Sequence, residues 1–420
     1  MCCLIFRTGL LVWTALLLSP EPLAGEDWYR YRGPRLNGIS EETVAAAAWV
    51  PEGPPVAWTR EVGTGFSSVS LRDGRLYTMG NSDDVDTVWC LDAGSGQTIW
   101  KHAYDSPTDP NEFEGGPTST PTVDGDAVYT LSRQGELFCF DAAAGEVRWQ
   151  INIADQTDVR IPTWGFAGSP LICGDTLIVN VGDAGAAVNK HTGESLWSSA
   201  DKDAGYATPV PIDTPQGQAV IIGSGRSYVC VDVANGQLRW RQRWLTTFGC
   251  NAADAIVSGN EVLLSSAYNR GAALLQLDHS DAPSNSDAAP SSEVTVLWKH
   301  KDLQNQLGTS VLLDGYVYGI HGNLASGGQL RCIDWKTGEV QWSDDSLRYG
   351  AIAATATQLI VLSDRGELRI LPASPRQQPP THRAVVLDDK CWTTPVLSNQ
   401  RLYCRGASGT LICLDLSQVQ

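Results

Sequence analysis

One spacing recurs along this 420-residue chain: an apolar run ending in Asp, then three residues, Gly, three residues, Trp. It occurs at Asp92, Gly96 and Trp100; at Asp141, Gly145 and Trp149; at Asp232, Gly236 and Trp240; and at Asp334, Gly338 and Trp342. A further copy has Asn189 in place of Asp, with Gly193 and Trp197. The spacing predicts a β-hairpin. Asp ends one strand and can accept from local backbone N–H groups. Gly supplies the positive φ of a tight turn, and Trp gives the returning strand a large packing surface. A second hairpin precedes each Asp, with turns such as Asp73-Gly74, Asp124-Gly125 and Asp314-Gly315. Each unit is therefore four antiparallel strands.

Units of four strands every 40–50 residues point to propeller blades, because one such sheet cannot bury both its faces but a ring of them can. The expected fold is all-β: one eight-bladed β-propeller with blades starting near Phe66, Gly116, Phe166, Tyr206, Cys250, Leu307, Tyr349 and Cys391. Blade five is degenerate, with a strand ending at Asp278 and its Trp at Trp298, separated by a Ser/Asp/Pro/Ala-rich loop. Blade seven lacks the motif and carries a Pro-rich stretch, 372–380. Blade eight ends at 414–416, one strand short. The missing strand is available at 56–60, where Trp58 would fill the repeat's Trp position, and pairing first and last segments would close the ring.

The expected organisation is a Sec signal peptide over 1–25, a lead-in over 26–56 and the propeller over 57–420. Arg7, the apolar run 10–18 and the small residues 23–25 carry the signal reading. The apolar run is too short to span a bilayer. No Cys follows Gly25, so no lipid anchor is expected. The mature protein should be a monomer in the periplasm or outside the cell. Thirty Lys+Arg stand against 47 Asp+Glu, a formal charge of −17. That surface repels phosphate backbones, which excludes a general nucleic-acid binder, and it keeps an exported protein soluble.

Five cysteines share one register two residues before the Asp position: Cys90, Cys139, Cys230, Cys332 and Cys413. Equivalent positions on adjacent blades stand about 10 Å apart, too far for a disulfide, which needs Cα atoms within about 7 Å. They read as small buried hydrophobes.

The stretches 140–149 and 333–342 both read Asp-x3-Gly-Glu-Val-x-Trp after an apolar residue. They resemble the repeat of the pyrroloquinoline-quinone (PQQ)-like propellers, and the resemblance covers 57–420. The lead-in, with Trp28-Tyr29-Arg30-Tyr31-Arg32-Gly33-Pro34 and Asn37-Gly38, is similar to the segment preceding such propellers in exported proteins of planctomycete-like bacteria. Two branches of the family follow from the resemblance. Quinoprotein dehydrogenases of alcohols and sugars hold PQQ with Ca²⁺ and a catalytic Asp. BamB-like propellers bind no quinone and act as scaffolds in outer-membrane protein assembly.

No adjacent cysteine pair lies in the mature chain, no carboxylate sits in a recognisable catalytic motif, and no Cys-x-x-Cys-His is present for haem. His102 and His300 share an outer-strand register and read as repeat ancestry. Asp83, Asp84 and Asp86 read as a solvated acidic turn, and Gly223-Ser224-Gly225-Arg226 as a strand-to-strand turn. No catalytic or metal-ligating residue is assigned. Candidate ligand residues at the central mouth are Arg160, Trp164, Tyr206, Arg348, Tyr349, Lys390 and Trp392, cations beside aromatics that could hold a flat anionic ligand. Candidate partner-binding residues are Glu112, Phe113 and Glu114, on a long loop between blades. The leading expectation is an exported, non-catalytic scaffold binding a cell-envelope protein or small anionic ligand without a cofactor. The alternatives are a PQQ- and calcium-dependent dehydrogenase and a carbohydrate- or polymer-binding module.

Overall fold

A computed structural model describes residues 25–44, 49, 53–108, 113–200, 203–277, 294–325 and 327–417. Glu112, Asp278 and nearly all of the signal segment lie outside the described residues. Eight antiparallel sheets follow one another along the chain, at 70–105, 122–152, 171–198, 210–243, 256–300, 311–348, 350–385 and 396–415. They form an eight-bladed propeller. The eighth sheet takes its outermost strand from Val56–Glu61, which pairs antiparallel with Thr410–Asp415. Trp58 lies opposite Cys413 there, as Trp100 lies opposite Cys90 in blade one.

The recurrent motif also joins each blade to the next. Trp100 Nε1 donates to Ala142 O at 3.0 Å, the carbonyl just after the next blade's Asp141. Trp58, Trp149, Trp197 and Trp298 reach the equivalent carbonyls of Ala93, Lys190, Val233 and Trp335 at 2.8–3.1 Å. Each ring lies against the following blade's turn glycine. A Cβ on Gly145, whose φ is +73°, would come within 2.5 Å of Trp100. The Asp closes its turn by accepting from backbone: Asp141 Oδ1 takes Ala143 and Ala144 N–H, and Asn189 Oδ1 takes His191 and Thr192 N–H. Asn serves there because the turn itself needs only the Oδ1 acceptor. Trp342 keeps the contact to blade seven, donating to Ser374 O, although that blade lacks the motif.

A belt of hydrogen bonds runs along the channel from blade one to blade six. Backbone N–H groups of Ser68, Thr120 and Ser169 donate to the side chains of Thr120, Ser169 and Thr208, each on the next blade. Thr208 N–H donates to Asp254 Oδ1, and Asp254 N–H to Thr309 Oγ1, both at 2.8 Å. The ring seam between blades eight and one is bolted by Arg405, which is 1% exposed. Its guanidinium donates to Ser67 O, Thr78 Oγ1, Met79 O and Gly63 O at 2.6–3.0 Å. No carboxylate among the described residues is ion-paired with it, and burial lowers its pKa to about 9.

The lead-in does more than deliver the closing strand. Its backbone carbonyls at Trp28, Tyr29 and Gly38 accept from Leu71, Val123 and Ala354 N–H, on the innermost strands of blades one, two and seven. Arg32 donates to Thr309 O and Ser310 O on blade six. Ile39–Ser40 adds a parallel strand inside blade seven, and Glu42 caps the inner turn of blade eight through Asn399 and Gln400 N–H. The segment thus plugs the channel at the end that carries the first turn of each blade. All nine described cysteines are buried and unbridged. Asp86 departs from a solvated turn: it is buried, held by Asn81 Nδ2 at 2.7 Å.

Candidate functional site

The end of the channel opposite the plug opens into a cavity of about 520 Å³. The starts of the innermost strands supply Phe66, Tyr206, Cys250, Leu307 and Trp392, and the loops above them Phe113, Arg133, Trp164, Phe248, Tyr268 and Leu324. Tyr31 of the plug and Asp254 also line it. The cavity is therefore blind: a pocket and not a through-channel.

Aromatic rings dominate its wall. Trp392 stacks on Phe66 with centroids 5.2 Å apart and meets Phe113 edge-on at the same distance. Trp164 meets Tyr206 at 5.7 Å and Phe248 at 6.0 Å, both edge-on. Phe248 departs from its surroundings in two ways. It is 71% exposed, and its φ of +62° places a bulky side chain in the left-handed region. That conformation costs on the order of 1–2 kcal/mol. Ile161 and Leu245, also exposed, stand on neighbouring mouth loops.

Several charged groups at the mouth have partners within the protein. Lys390 lies over the Trp392 ring at 4.7 Å and is ion-paired with Glu114. Arg160 pairs with Asp203 at 3.5 Å, and Arg133 Nε donates to Trp164 O. Asp254 Oδ1 is taken by Thr208 N–H, and its Oδ2 lies 3.8 Å from Arg32 Nε. Burial pushes its carboxyl up to about 6, with Arg32 opposing.

The candidate residues divide accordingly. Trp164, Tyr206, Trp392 and Phe113 line the cavity, with Lys390 and Glu114 at its edge. Arg160 lies outside, on the rim. Arg348 is exposed and does not line the cavity. Tyr349 is buried, its hydroxyl accepting from Leu307 N–H, so it supports the wall from behind. Sequence reasoning missed Tyr31, Arg133, Asp254, Phe248 and Tyr268. Asp254 carried a signal: it stands where the other blades place Ser68, Thr120, Ser169 or Thr208.

Residues 86–344, more than half of the chain, match the family described as outer membrane protein assembly factor BamB. The chain belongs to this PQQ-like-repeat family. No curated protein matches it. Among solved structures it is similar to BamB from Moraxella catarrhalis (TM-score 0.63, 17% identity, 86% of this chain and 99% of that one). It is equally similar to a quinohemoprotein alcohol dehydrogenase from Comamonas testosteroni (TM-score 0.64, 15% identity, 93% and 80%). A computationally designed protein, Ika8, also matches (TM-score 0.59, 12% identity, 86% and 100%). At these identities the likeness establishes the fold, which hosts more than one function. No helix among the described residues is long and apolar enough to cross a membrane.

Proposed function

We propose that this chain is an exported, non-catalytic propeller whose mouth face docks a cell-envelope protein, BamB-like in type. The carrying observation is Phe248: an exposed aromatic held in a strained backbone at the rim of an aromatic mouth. Strain of this kind persists at functional sites, and large exposed apolar groups around a cavity mark interaction surfaces. Residues 1–25 are assigned in this reading to export.

The dehydrogenase reading finds less support in the residues of the mouth. Ca²⁺ takes about six to eight oxygen ligands, usually several from carboxylates. Among the described residues no three His, Cys, Asp or Glu side chains gather for a metal. Among the described residues, Asp254 is the sole carboxylate lining the cavity. The set present does not fit a quinone held over a divalent cation. Nor does it favour the flat anionic ligand expected from the sequence, since Lys390 and Arg160 already face carboxylates.

A photo-crosslinking residue at Phe248, in cells, tests the docking. An adduct with one envelope protein is expected, lost on Trp164→Ala and not formed from Val385, which is equally exposed at 69% but lies on an outer strand. The same adduct from both positions, or none from 248, would contradict it.

A further inference from the structure

We propose that the lead-in forms a seat for the chain's own cut amino terminus: cleavage between Gly25 and Glu26 leaves an ammonium on Glu26 that ion-pairs with Glu42 and fastens the plug to blade eight. The proposal rests on the assignment of residues 1–25 to export and is independent of the docking face.

Glu26 is tied through all of its polar groups. Its backbone N lies 3.1 Å from Glu42 Oε1, and its carbonyl accepts from Ser398 Oγ at 2.7 Å. Its carboxylate, 14% exposed, meets Arg35 Nη1 at 2.8 Å and accepts from Glu41 N–H at 3.0 Å. Chain ends are poorly ordered unless tied down in this way. Glu42 in turn accepts from Asn399 N–H at 2.6 Å and Gln400 N–H at 2.7 Å. Those two residues form the inner turn of blade eight, both with positive φ, +55° and +56°. One carboxylate thus joins the first residue after the cut to the last blade of the ring.

Two features favour a free ammonium there over a continuing chain. The first is charge. The carboxylates of Glu26, Glu41 and Glu42 meet one cation among the described residues, Arg35, which pairs with Glu26 and Glu41. Glu42 accepts only from neutral donors, the backbone groups above and Gln400 Nε2. The neighbouring Asp27 is engaged instead by the backbone of Asp73 on blade one. Hydrolysis of the peptide bond consumes one water, leaves a carboxylate on the departing Gly25 and puts an ammonium where the neutral N–H stood. An opposite charge at that distance favours the charged amine and raises its pKa. The second feature is space. A Cβ on Gly25 would come within 2.2 Å of Asn399 Oδ1, so chain arriving from upstream is crowded against the turn that Glu42 caps.

Mass spectrometry of the exported chain should find Glu26 as its first residue. Two chains released from a cleavable fusion, one starting at Glu26 and one retaining Gly25, are then compared by pH-dependent acylation of the α-amine. The Glu26 amine should titrate about one unit above the Gly25 amine, which stays near the ordinary value of about 8. Because the folded pKa is the raised one, the added stability is present below about pH 8 and lost as pH rises through about 9. Glu42→Gln also disturbs the bond to Gln400 N–H, so its readout is the amine and not stability: the shift should disappear. A cut at any other bond, equal titration of the two amines, or a shift that survives Glu42→Gln overturns the proposal. The first residue at Glu26 with an unshifted amine overturns this inference alone, whereas an exported chain that keeps residues 1–25 overturns the export assignment with it.

Discussion

Gly145→Ala tests whether the repeat is an inter-blade joint. The added Cβ meets Trp100 of the preceding blade at 2.5 Å from Cδ2 and 2.7 Å from both Cε3 and Cγ. That ring cannot yield cheaply. It is buried, bonded through Nε1 to Ala142 O, and packed against Tyr77 and Phe140. Gly125→Ala is the control. Its φ is +59°, so it too sets a side chain in the left-handed region, but nothing lies within 4 Å of the new Cβ. The control carries the backbone cost alone, about 1 kcal/mol. Gly145→Ala adds an overpacking cost of about 1–3 kcal/mol, for a total of about 2–4 kcal/mol. Equilibrium urea denaturation of both variants measures the difference. Equal destabilisation would refute the joint and reduce the glycine to a turn former.

Three further outcomes follow from the same geometry. Arg405→Met leaves the carbonyls of Ser67, Met79 and Gly63 without their buried donor and should cost about 2–4 kcal/mol in urea denaturation; a neutral result would mean water replaces the guanidinium. Deleting 26–62 removes both the closing strand and the plug, and an unchanged melting temperature would contradict ring closure. Asp254, its carboxyl raised to about 6 by burial, holds its proton more tightly folded than unfolded, so its stabilising contribution is present at low pH and lost as pH rises through about 6. Asp254→Asn keeps the acceptor for Thr208 N–H, and relative to the parent it should gain on the order of 2–3 kcal/mol between about pH 4 and about pH 7; a pH-independent difference would oppose this.

The ring was readable because its information is local and repeated. Asp, Gly and Trp at fixed spacing mark a turn, and the same residues at neighbouring blades make the joint, so blade starts and the closing role of Trp58 could be placed by counting. The pocket has no such redundancy. Tyr31, Arg133, Phe248 and Tyr268 come from different blades or the plug and converge only when the ring forms. Lys390 and Arg160 looked like ligand cations in sequence because their partners, Glu114 and Asp203, are distant in the chain. Arg348 ends the outer strand of blade six and Tyr349 leads into blade seven, yet neither lines the cavity: Arg348 is exposed, and the buried Tyr349 supports Leu307 from behind. The lead-in's path through the channel was invisible for the opposite reason: it belongs to no repeat, and its carbonyls pair with strands of three different blades, at Leu71, Val123 and Ala354.

The most direct test of a binding propeller with no quinone chemistry is titration of the purified mature chain with PQQ and Ca²⁺, followed by dye-linked assay with alcohols and aldoses. The account predicts no saturable quinone binding and no dye reduction. Tight quinone binding with substrate-dependent dye reduction would contradict it.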